Sequence, residues 1–86
     1  MSLGDIAGEL ALMELLVTEQ YDSAVRVVEY IGDDLLPQVQ RLTAGSTNPD
    51  AAALLGAAEA AREAASEVVF AMGLWRGAIG VWRMHL

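Results

Sequence analysis

From Leu54 to Leu86 the chain places a small or apolar residue at every third or fourth position without a miss. The series runs Leu54, Ala58, Ala61, Ala65, Val68, Met72, Trp75, Ile79, Trp82, Leu86, in strictly alternating steps of 4 and 3. A strand would give steps of two. Steps averaging three and a half put these side chains on one face of an α-helix, and a seam that continuous demands another helix lying along it. The fold class that follows is all-α.

The partner helix is the other half of the chain. Apolar residues recur at 3, 6, 10, 13, 17, 21, 24, 28, 31, 35, 39 and 42, again a helical period. Leu12, Leu15, Leu16, Val25 and Val27 widen this stripe, as suits a helix that touches more than one neighbour. Ser2 with Asp5 is a variant of the capping box and opens the helix at Leu3. Gly32 and Pro37 interrupt the pattern. Proline lacks an N–H and its ring collides with the carbonyl four residues earlier, so helix one is expected to be kinked or broken near 32–37. Asp33 or Asp34 would cap a new start there.

Gly45 suits the left-handed position that ends a helix, and Asn48-Pro49-Asp50 reads as N-cap, first helical residue and an acid at the positive helix end. The organisation is therefore one domain over 1–86: helix one about 3–43, a turn about 44–48, and helix two about 49–85. A turn this short makes the two helices antiparallel neighbours.

Two helices side by side hide one stripe each, yet 55% of the residues are apolar and only 20% are charged. A chain of this length buries only about 60–65% of its unfolded surface, so a lone hairpin is marginal. The expected architecture is a long antiparallel helical hairpin that forms a four-helix bundle by dimerisation. Its core or interface would be Leu10, Met13 and Val17 from helix one with Leu54, Ala58, Ala61, Ala65, Val68, Met72, Trp75, Ile79 and Trp82 from helix two. On that reading Trp75→Ala or Trp82→Ala removes a core side chain, at ~3–5 kcal/mol each.

Charge narrows the partners. The net charge is −7, which argues against a phosphate backbone as ligand. Residues 1–69 hold all twelve acids with Arg26, Arg41 and Arg62, whereas 70–86 hold Arg76, Arg83 and His85 with no acid. An antiparallel hairpin places Arg76 and Arg83 beside Asp5, Glu9 and Glu14, which accounts for the asymmetry within one molecule. Val68–Trp82, the most apolar run, spans fifteen residues and contains Arg76, too short and too charged to cross a bilayer. Tryptophan and arginine together also suit an interfacial helix, but the heptad assigns both tryptophans to a core and the net charge opposes anionic lipid.

Catalytic, metal and cofactor chemistry lack their residues. Cysteine is absent and His85, the single histidine, stands one residue from the end of the sequence. Glu59, Glu63 and Glu67 share a helix face, as Glu29 and Asp33 do, but carboxylate metal sites in bundles add histidines from facing helices. Ser23, Ser46 and Ser66 have no base to activate them. No enzyme activity and no cofactor are expected. Gly73, Gly77 and Gly80 form a small-residue stripe, a pattern that accompanies close helix contact.

The segment Trp75-Arg76-Gly77-Ala78-Ile79-Gly80 resembles the Trp-x-Gly signature of small type VII secretion substrates, displaced here toward the C-terminus. The resemblance implies a helical hairpin that pairs with a sister protein and is exported without a cleaved signal peptide. In that family a Tyr-x-x-x-Asp/Glu export signal follows the second helix; Tyr30 and Asp34 have this spacing in the first.

The leading functional expectation is a non-catalytic interaction module that acts as a homo-oligomer or as a heterodimer with a related helical protein. A small exported substrate and an acidic, antitoxin-like protein that covers a basic partner are the alternatives. With no signal peptide in the first 25 residues, the expected location is cytoplasmic, or outside the cell by signal-independent export.

Overall fold

The computed structural model describes residues 1–86 and is helical almost throughout. Helix α1 spans Leu3–Tyr30, a π-helical turn covers Ile31–Leu35, α2 spans Leu36–Thr43 and α3 spans Pro49–Met84. The result is an antiparallel hairpin measuring 64 × 17 × 17 Å.

Local chemistry sets each end. The Ser2 hydroxyl accepts from the Asp5 N–H at 3.2 Å, and the Asp5 carboxylate accepts from the Ser2 N–H at 3.3 Å, a reciprocal cap of two otherwise unpaired donors. Gly45 lies at φ +72°, where a Cβ would crowd the following carbonyl. Asn48 caps α3 through its side-chain oxygen, which accepts from the Asp50 N–H at 2.9 Å.

Helix one is irregular near 32–37, where the sequence predicts a kink or a break, and the irregularity takes the form of a π turn and not an outright break. Helical hydrogen bonding runs on through Gly32–Pro37, carried by the π turn: the Leu36 N–H donates to the Ile31 carbonyl, five residues back instead of four. One extra residue in the turn widens the coil just ahead of Pro37, which then occupies the first turn of α2, where no N–H is required. On the inner side Gly32 lies against the Arg62 guanidinium, which a Cβ would meet at 3.1 Å.

The core is small. Leu10, Val17 and Ile79 are buried together, with Ile6 and Met72 packed on them, and Leu36 is buried beside the π turn. No polar residue is buried. On α3 the side chains turned toward α1 belong to the positions 58, 62, 65, 69, 72, 76, 79 and 83. Ala58, Ala65, Val69, Met72 and Arg76 are half-buried and Ile79 is 4% exposed. Arg62 reaches Gly32 and Arg83 pairs with Glu14.

Arg76 departs from expectation. It meets no acid; its guanidinium lies over the Tyr21 ring, 4.6 Å from the centroid. The Arg83–Glu14 pair is exposed and contributes no more than ~1 kcal/mol.

The twelve residues expected in the core or interface divide into three groups. Leu10, Val17 and Ile79 are buried; Ala58, Ala65 and Met72 are half-buried; Met13, Leu54, Ala61, Val68, Trp75 and Trp82 are exposed. Trp75 and Trp82 are 51% and 54% exposed, so a single hairpin does not hold them as core side chains. Their rings point off the flank of α3 because the contact with α1 is rotated away from them.

Two substitutions check this packing in urea titrations followed by circular dichroism. Ile79→Ala is expected to lower the unfolding free energy by about 2–5 kcal/mol. Gly45→Ala, which forces a Cβ into the left-handed region, is expected to cost about 1–2 kcal/mol.

Candidate functional site

The surface that stands out is a second seam on α3. Moving one residue back from each contact with α1 gives 57, 61, 64, 68, 71, 75, 78 and 82: Ala57, Ala61, Ala64, Val68, Ala71, Trp75, Ala78 and Trp82. Every one of the eight is exposed. One residue is about 100° of helix rotation, so this seam lies roughly a quarter turn round α3 from the one that α1 covers. It keeps the same steps of 4 and 3 and carries no charged side chain.

The two seams explain the apolar series seen in the sequence. Ala58, Ala65, Met72 and Ile79 come from the seam facing α1, and Ala61, Val68, Trp75 and Trp82 from the open one. The series bisects them. A helix with two adjoining seams and an apolar bisector has the geometry of a helix with two neighbours in a square bundle, and the hairpin supplies one neighbour.

Composition along the open seam is ordered. Positions 57, 64, 71 and 78 are all alanine, whereas 61, 68, 75 and 82 enlarge from alanine through valine to tryptophan. Small residues at one position of each heptad admit a close neighbour, and the tryptophans supply the area. Across the hairpin, α1 adds Met13, Leu16 and Val27, all exposed. Their helical positions place them on the flank of α1 opposite Glu14, Thr18 and Tyr21. The groups that hold the other flank, Arg76 on Tyr21 and Arg83 on Glu14, keep positive charge off the open seam.

The back of α3 is apolar as well, with Phe70, Leu74, Val81 and Met84 exposed. Val68–Trp82 alone is expected to be too short and too charged to cross a bilayer, but α3 as a whole is long and apolar enough by length and composition, and little of its apolar stretch is buried. The glycine stripe lies on the side of α3 away from the open seam. A Cβ on Gly73 would touch the Tyr21 ring at 3.5 Å, whereas Gly77 and Gly80 face open space.

Other candidate chemistry stays dispersed. No three His, Asp or Glu side chains gather closely enough to hold a metal ion. His85 ends α3, its N–H donating to the Trp82 carbonyl at 3.0 Å. Ser66 donates to the Arg62 carbonyl at 3.0 Å and Ser23 accepts from Arg26 at 3.2 Å, so both serve their own helices. The groove lined by Val25, Val28, Glu29, Ser66 and Val69 is shallow and open. Trp75-Arg76-Gly77 lies within α3, and the turn at 44–48 has no tryptophan. Comparison with protein-family models, with curated proteins and with solved structures gives no match.

The glycines yield a direct check. With open space at its Cβ, Gly77→Ala is expected to stabilise the hairpin by about 1 kcal/mol through helix propensity, measured by thermal or urea unfolding. A loss of stability instead would reveal a neighbour packed on that side.

Proposed function

We propose that the protein is a non-catalytic helical interaction module. The hairpin offers the open seam of α3 to another helical hairpin, either a second copy or a related chain, and the pair forms a four-helix bundle. The observation that carries this reading is the exposed, uncharged heptad seam that contains Trp75 and Trp82.

Surface area supports it. The hairpin exposes 6078 Å², whereas a compact monomer of 9.1 kDa exposes about 4,900 Å². Its radius of gyration is 19.1 Å, against about 12 Å for a compact chain of this length. The surplus of about 1,200 Å² exceeds the ~800 Å² that each partner buries in a standard interface. The apolar side chains exposed along α3 destabilise a free monomer, and a facing helix with the same period removes them from water.

The heptad favours a protein neighbour over lipid. Bilayer contact asks only for apolarity, whereas alternation of alanine with large side chains on one face serves interdigitation with another helix.

Photo-cross-linking in cells tests the module whatever the identity of its neighbour. A benzoylphenylalanine at Ala78, on the open seam, is expected to capture a helical protein chain. The same group at Asp22, on the far side of α1, is expected to capture none. Equal yields from both sites, or capture of lipid alone at Ala78, would show that the seam is not a docking surface.

A further inference from the structure

Resting on the interaction-module reading, we infer that the occupant of the open seam is a second copy of this chain, docked antiparallel about a two-fold axis that crosses the open seam at the level of residue 73, between Ala71 and Trp75. The argument is the spacing of large and small residues on that seam. Trp75 stands two residues after Gly73 and Ala71 two before; Trp82 stands nine after and Ala64 nine before; Val68 stands five before and Ala78 five after. In an antiparallel pair centred there, each large side chain of one copy faces an alanine of the other. All six of these positions are exposed in the hairpin. A two-fold contact must be self-complementary, with the same patch serving both sides. This seam meets that condition, and it does so only in the antiparallel sense: a parallel copy in register sets tryptophan against tryptophan and alanine against alanine.

Charge selects the same arrangement. Residues 21–69, the half of the hairpin that holds the turn, carry eight acids against three arginines. A parallel copy stacks these two acidic halves on each other. The antiparallel pair overlaps α3 from about residue 60 to its end, a length of about 40 Å, and sends the turn halves to opposite ends. Within residues 60–86 there are three arginines and two glutamates, so the overlapping stretches of α3 itself are almost neutral. The surplus area is enough for a stable dimer without any further protein.

The chain has no cysteine, so one introduced thiol labels one place. Light scattering on a sizing column over a hundredfold range of concentration should give twice 9.1 kDa. Spin labels on Glu59→Cys should then lie about 40 Å apart or slightly more, because each is fourteen residues from the axis. Ala71→Met fills the space meant for the second copy's Trp75. It should leave helix content unchanged at low concentration, since Ala71 is exposed and methionine is a good helix former, yet weaken the dimer by at least about thirtyfold, as loss of an anchoring contact does. A dimer with labels within about 20 Å is parallel and overturns the arrangement. A dimer insensitive to Ala71→Met is held by another surface and overturns it too. A chain that stays monomeric overturns the second copy as occupant, and cross-linking of a different helical protein at Ala78 would then leave the module reading standing. A monomer that instead sediments with phosphatidylcholine vesicles, with lipid alone captured at Ala78, overturns both.

Discussion

The contact of Ile79 with Leu10 and Val17 sets the rotation of α3 about its own axis, and most of the molecule's behaviour follows from that angle. Once Ile79 and Met72 face α1, the heptad geometry decides where every other side chain of α3 points. Arg76 and Arg83 fall on one flank, over Tyr21 and beside Glu14. Trp75 and Trp82 fall on the other, where the hairpin has nothing to cover them. A rotation of one residue toward the open seam would exchange those roles, placing tryptophans inside and leaving the present contact seam uncovered. Packing an aliphatic branch between two others on α1 holds the observed angle, and the cation–π contact and the ion pair reinforce it from the side.

A two-helix protein cannot resolve this by itself. Each helix has one neighbour, so each covers one stripe, and the C-terminal half of α3 is apolar on nearly every side. The exposed surface and the extended shape both express the same shortfall. A core of four buried residues contributes little against the conformational entropy of ordering 86 residues. The proposed association would answer this, because a second helical pair would remove the open seam from water without asking the backbone to change.

The ends and the irregularity of the helices obey local rules more than packing. The reciprocal Ser2–Asp5 cap, the left-handed Gly45 and the Asn48 cap each depend on residues within a few positions of one another. Their chemistry is therefore readable from the sequence. The π turn is the exception. Pro37 announces that α-helical bonding cannot pass unchanged, but a break, a kink and a widened turn all satisfy that demand. The apolar stripe of helix one continues past the proline to Leu42, and Leu36 is buried in the hairpin. Keeping both halves against α3 favours the widened turn, which restores a hydrogen bond five residues apart.

By itself the sequence determined that the protein is an all-α hairpin and that its second helix carries an apolar heptad. These properties rest on period, on short-range capping and on which side chains exist. Tertiary structure alone decided which half of the apolar series faces α1. A period of three and a half locates an apolar face only to within its own width, and that face here is wide enough to hold two seams. Ala58, Ala65, Met72 and Ile79 turn toward the first helix while Ala61, Val68, Trp75 and Trp82 turn away. Only the meeting of two helices can make that choice, since it depends on which side chains of α1 interdigitate with them. The exposed seam is what the choice leaves over.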